Sequence, residues 1–225
     1  MGAVNRWACC GFGALASVVA CAGSQNALPV QGGDTQGPPR VEALPSLDVD
    51  DTALSKEMRM ARMLSEESLN LPAPPLPSGR TAQDIQHWSE ETLAPWLQSK
   101  QARAEAARAE LDVAALQNQR QRIVAGALVG LVYEDVAQGL LRVPAPRELD
   151  SEPEVLAMYH DLLQQQAAPY LMHARLGYDA CAANAHALRS LEHWSAFCGE
   201  RSSHLPSGER LAPGESETSV TVTRD

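Results

Sequence analysis

Residues 98–141 read QSKQARAEAARAELDVAALQNQRQRIVAGALVGLVYEDVAQGLL, and this stretch decides the fold. It is dense in Ala, Leu, Gln, Arg and Glu, the side chains that lose least freedom on entering a helix. It holds no proline, and no glycine before Gly126. Pro95 just upstream marks a start, because proline is tolerated in a first turn but costs about 3 kcal/mol inside a helix. The composition predicts one long helix over 95–142, stopped by Val143-Pro144-Ala145-Pro146. At 1.5 Å per residue it would reach roughly 70 Å. Its two halves differ. Residues 99–122 are polar with Ala, so only a thin face can be buried. Residues 123–141 carry Ile123, Val124, Leu128, Val129, Leu131, Val132, Val136, Leu140 and Leu141, enough for burial nearly all round. Gly126 and Gly130, four apart, would let another helix approach closely.

Outward from this stretch the pattern stays helical. Ile85, Trp88, Thr92 and Trp96 recur at three and four residues, one face of a helix. Downstream, Ser151-Glu152-Pro153-Glu154 has the form of a helix start, with Ser151 as N-cap. Val155, Met158 or Tyr159, Leu162 and Leu163 then continue an apolar face. Pro169 kinks or restarts the helix, and Tyr170, Ala174, Tyr178 and Cys181 carry the stripe on. A turn over 184–187 leads to a last helix over 190–200 with Leu191, Trp194, Phe197 and Cys198. Alternation typical of a strand occurs only in VTVT at 220–223, too short and terminal to count. The expected fold is all-α: an elongated helical hairpin or bundle with one long central helix.

Composition divides the 225 residues. Past the N-terminal segment, every aromatic lies between Trp88 and Phe197, which sets the helical domain at 81–203. Residues 21–80 are rich in Pro, Gly, Gln, Ser and Asp and hold no aromatic. Such a segment buries too little apolar surface to offset its ordering entropy, so a disordered tether is expected. Within it, Leu54, Met58, Ala61 and Leu64 or Met63 suggest a short amphipathic helix over 52–69, either docked or partner-binding. Residues 204–225 read as a disordered tail.

The N-terminus carries the most specific signal. Arg6 precedes an uncharged apolar run from Trp7 to Ala20, about 21 Å as a helix and short for a bilayer span. A charged start, a short apolar run and small residues at its end make a secretory signal peptide over 1–20. Val18-Val19-Ala20-Cys21 resembles the lipobox of bacterial lipoproteins. That resemblance implies that Cys21 begins the mature chain and carries lipid, a second attachment to the membrane being unnecessary once several acyl chains share one Cys. Ala20-Cys21-Ala22 also fits the cleavage site of an ordinary secreted protein. Of the five Cys, Cys181 and Cys198 remain once Cys9, Cys10 and Cys21 are assigned to the leader and the anchor. In an oxidising compartment they are expected to pair, two buried thiols being the alternative.

Chemistry is sparse. A formal charge of −10, from 18 basic and 28 acidic residues, argues against a nucleic-acid partner. None of the six His falls at i, i+4 with another on one helix, neither Cys181 nor Cys198 has C-x-x-C spacing, and no metal or cofactor is expected. Glu134 and Asp135 are adjacent, so on a helix they point about 100° apart and cannot act as a carboxylate pair. A hydrogen bond from one of them to a neighbouring helix is the expected role. Arg103, Arg108, Arg120 and Arg122 alternate with Glu105, Glu110 and Asp112, as on a solvated face.

Three stretches, Gly130-Leu131-Val132-Tyr133-Glu134-Asp135, Ala174-x-x-x-Tyr178-x-x-Cys181 and Trp194-Ser195-Ala196-Phe197-Cys198, resemble helical envelope lipoproteins of myxobacteria over 96–200. Val129-Gly130 with Tyr133 is similar to one helix of a tetratricopeptide unit, with room for only one and a half units. The expected function is that of a lipid-anchored scaffold or adaptor, not an enzyme, in the outer membrane and facing periplasm or surface. Unknown envelope proteins would be its partners, met through Trp88, Trp96, Arg103 and Arg108. A self-associating spacer is the first alternative, and a small-ligand-binding or hydrolytic envelope protein the second.

Overall fold

The computed structural model describes residues 44–45 and 54–205. Among them the chain is helical, with no strand, as the sequence predicts. Cys21, the leader, most of the tether and the tail after Leu205 lie outside the described residues.

Helix α1 (Lys56–Leu69) begins where Ser55 caps it, its Oγ accepting from the Met58 N–H at 3.1 Å. Met58, Ala61, Ser65 and Ser68 are buried along one face, against α3 and α4 described below. The helix expected within the tether is therefore a docked part of the bundle. The Pro-rich connection that follows is also held: the indole N–H groups of Trp88 and Trp96 donate to the carbonyls of Pro75 and Pro72, each at 2.8 Å.

Helix α2 (Ala82–Trp88) opens with a reciprocal capping box between Thr81 and Asp84. A π turn at Ser89–Leu93 joins it to α3 (Ala94–Ala115), whose first turn holds Pro95. The wider turn accommodates the residue that cannot donate.

The single helix expected over 95–142 is two helices. The first ends at Ala115, and α4 (Gln119–Leu141) starts after Asn118, whose Oδ1 accepts from the Gln121 N–H at 3.0 Å. Arg122 Nε also reaches back to the Ala115 carbonyl at 3.3 Å. No Gly or Pro marks this break. Folding back is favoured because a straight helix would leave Ala104, Ala107, Leu111 and Ala114 in water, and the hairpin buries all four. As expected, α3 buries a thin face and α4 is enclosed on most sides, including Ile123, Leu128, Leu131 and Val136 at 0% exposure. Helix α4 has the length and composition of a membrane span, and 72% of its apolar window lies inside the bundle.

A 3₁₀ turn (Arg147–Ser151) precedes α5 (Pro153–His186). Ser151 ends that turn, its Oγ facing the Glu148 carbonyl at 3.4 Å, and Glu152 is the residue at the cap, without a side-chain bond. Pro169 lies inside α5 without ending it. Helices α4 and α5 cross where a Cβ on Gly126 would meet the Gly177 carbonyl at 2.8 Å, and a Cβ on Gly177 the Gly130 nitrogen at 2.7 Å. The expected close approach at Gly126 and Gly130 is made by α5. A second 3₁₀ turn (Arg189–Leu191) leads to α6 (Glu192–His204), which Cys181 and Cys198 join to α5 through a disulfide with Cα atoms 6.0 Å apart.

Candidate functional site

Two buried polar clusters hold the helices together. In the first, Glu134 on α4 receives Arg201 from α6: Nη2 donates to Oε1 at 2.9 Å and Oε2 at 2.8 Å, and Nε to Oε2 at 3.1 Å. The Tyr178 hydroxyl of α5 donates to Oε2 at 2.6 Å, and Gln138 to Oε1 at 3.0 Å. Arg201 also lies over the rings of Tyr178 and Phe197. Tyr178 stands three residues before Cys181, and Arg201 three after Cys198, so the disulfide and this cluster occupy adjacent turns of the same two helices. Burial and the Glu134 charge push the Tyr178 phenol far above its ordinary pKa.

In the second cluster, Lys100 of α3 is 1% exposed and donates to the Ser68 carbonyl at the end of α1 and to Asp135 on α4. Burial raises the Asp135 carboxyl above the usual carboxylate range, with Lys100 acting in the opposite sense. Glu134 and Asp135 thus serve different faces of α4, one toward α6 and the other toward α3, as their separation of about 100° allows.

A cleft of about 220 Å³ lies among Gln101, Ala104, Glu105, Tyr133 and Tyr170. Its polar atoms already meet one another. The Tyr133 hydroxyl donates to Glu105 Oε1 at 2.5 Å, Gln101 donates to the Tyr170 hydroxyl, and His173 stacks on Tyr133 with ring centroids 4.9 Å apart. Among the described residues no group of three or more His, Cys, Asp or Glu could hold a metal ion.

The four residues expected to meet a partner are spread along α2 and α3 and engaged internally. Trp88 is buried, while the Trp96 ring packs where a Gly139 side chain would stand, 2.4 Å from the nearest ring carbon. Both indoles hold the Pro-rich connection. Arg103 faces Glu67 of α1 at 3.8 Å, and Arg108 faces Glu105 at 3.4 Å.

The surface that sequence reading missed lies on α5. Its buried face is Ala167, Leu171, Ala174, Tyr178, Cys181 and Ala185, and none of the residues 153–166 is buried. Of the apolar face expected from Val155, Met158 or Tyr159, Leu162 and Leu163, Tyr159 and Leu163 are half-buried, while Val155, Met158 and Leu162 are 40%, 60% and 43% exposed; Met172 and Leu176 are 47% and 58% exposed. The stripe was legible, but α4 ends its cover before the first turns of α5, so the outer apolar face stays in water. No known protein family, no curated protein and no solved structure matches this chain.

Proposed function

We propose that this chain is a lipid-anchored scaffold of the bacterial cell envelope that works through the outer face of α5. Lipidated Cys21 would hold it to the outer membrane, facing periplasm or surface, and residues 22–43 would connect it to the bundle, on whose core Leu44 packs. Two considerations support the envelope: the likeness of Val18-Val19-Ala20-Cys21 to a lipobox, and a disulfide of the kind that persists in oxidising compartments.

One observation carries the scaffold reading. A helix in a bundle normally has one apolar face, with polar residues opposite. Helix α5 has two, and the second holds five large apolar side chains that are each at least 40% exposed. Clustered apolar surface marks interaction sites, and here it forms two groups on one helix face, Val155, Met158 and Leu162, then Met172 and Leu176. A ligand-binding role has less support, because the cleft is smaller than the roughly 300–1,000 Å³ usual for such sites and its polar groups are already paired.

The test is a photo-crosslinking amino acid placed at Met172 or at Arg103 in cells, with Cys21→Ser as the anchor control. Adducts from position 172 that are lost with Cys21→Ser are the expected result. Adducts from 103 alone would return the interface to α3, and none from either would end the scaffold reading.

A further inference from the structure

We infer that the occupant of the outer α5 face is a second copy of this chain, packed antiparallel. The inference rests on the reading of α5 as an interaction surface and names its partner.

Met158, Leu162, Gln165, Pro169, Met172 and Leu176 follow one another at spacings of four, three, four, three and four, and all six are exposed. Alternating three and four is the seam of a coiled coil, in which each side chain enters a hole on the facing helix. On α3 the same spacing of exposed positions falls on Pro95, Gln98, Ala102, Glu105, Ala109, Asp112 and Leu116, a set with one large apolar side chain, whereas the α5 set has four. Helix α5 runs 34 residues, ample for such a seam.

Charge fixes the direction. Beside the seam, one residue before Val155, Leu162, Pro169 and Leu176, stand Glu154, Asp161, Ala168 and Arg175. Two helices side by side and parallel would match these positions with Tyr159, Gln166, His173 and Ala180, giving no ion pair. An antiparallel arrangement brings equivalent flanking positions together, so the acidic end of one copy meets the basic end of the other. With the twofold axis level with residue 167, Met158 packs on Leu176 of the second copy and Leu162 on Met172. Gln165 then packs on Pro169, and Asp161 stands across from Arg175. The four outer layers are apolar on both sides, and the two central ones pair Gln165 with Pro169. The contact is isologous and closes as a dimer, with no face left to propagate. In the single chain the half-exposed Arg175 faces Asp179 at 3.8 Å and donates to the Leu205 carbonyl at 3.4 Å, both long contacts that the guanidinium would exchange for Asp161 of the second copy.

The test uses the full-length, membrane-bound chain. Met158→Cys and Leu176→Cys are made separately, mixed, and treated with a short bis-maleimide, and the joined peptides are identified by mass so that native Cys do not confuse them. Peptides joining 158 to 176 are expected, with neither position joined to itself, because the two copies of residue 158 would stand roughly 27 Å apart along the axis. Leu162→Cys with Met172→Cys should behave alike. A second measurement concerns charge: Arg175→Asp is expected to weaken association about tenfold, and adding Asp161→Arg to restore it. Residue 158 joined to itself would mean parallel helices and overturn the inference. No joined peptides, with no effect of Arg175→Asp, would overturn self-association. In that case adducts of other proteins from position 172 would leave the interaction reading of α5 standing, and their absence would end both.

Discussion

Glu134 meets the Arg201 guanidinium through both oxygens in a site where each side chain is less than a tenth exposed. A buried pair contributes little net stability over apolar residues, but losing one partner strands the other charge. Arg201→Ala should therefore destabilise by about 3–5 kcal/mol in urea unfolding. The double change Glu134→Leu with Arg201→Met should recover most of that loss. If the single and double variants unfold alike, the pair is not the source of the cost. At Asp135 burial outweighs the nearby Lys100 charge. Its folded pKa is raised above the model-compound 3.8 by burial, so its favourable contribution is complete below that pH and declines as pH rises through the folded value. Asp135→Asn should flatten the fall in stability from about pH 4 upward, read by denaturant midpoints across pH. A variant with the native slope would place the titration elsewhere.

Elements were legible wherever composition and punctuation agreed, and obscure where packing decided. Glycine makes the point at the crossing of α4 and α5. Gly126→Ala would push a Cβ to 2.8 Å from the Gly177 carbonyl, costing about 1–3 kcal/mol, whereas Gly199→Ala in α6 meets nothing within 4 Å and should gain about 1 kcal/mol of helix propensity. Thermal unfolding of the two variants should move in opposite directions; equal shifts would deny the close contact. Helix α1 was visible as a periodicity, yet its docking was not, since a short amphipathic pattern has the same form whether or not anything faces it. Its anchor is Met58, at 0% exposure, and Met58→Ala is expected to cost about 2–5 kcal/mol in the same unfolding experiment. A loss near zero would mean that α1 adds nothing to the bundle. The α3–α4 break escaped reading because Asn118 is its one local signal, and an Asn amid Gln and Arg looks like one more helix-surface residue. The candidate site was missed for a related reason. Sequence gives the apolar face of a helix but not which neighbour is long enough to cover it, and the two Trp that looked like partner anchors are spent on the chain's own Pro-rich connection.

At the scale of the whole molecule, polar side chains in the interior tie helices to one another, while five of the large apolar residues left outside line one face of α5 and the others are spread over α1, α3, the end of α4 and the connections. That distribution suits a protein whose work is contact. The buried clusters and the disulfide fix α4, α5 and α6 relative to one another, so the outer α5 face is presented on a rigid base, as a docking surface must be if ordering entropy is not to consume its affinity. Native mass spectrometry of the full-length protein, extracted from membranes in detergent, tests this view most directly, because one spectrum reports the first residue, the acyl mass and the copy number. A dimer of subunits that each begin at Cys21 and carry lipid is the expected result. Monomers, or subunits without acyl mass, would contradict it.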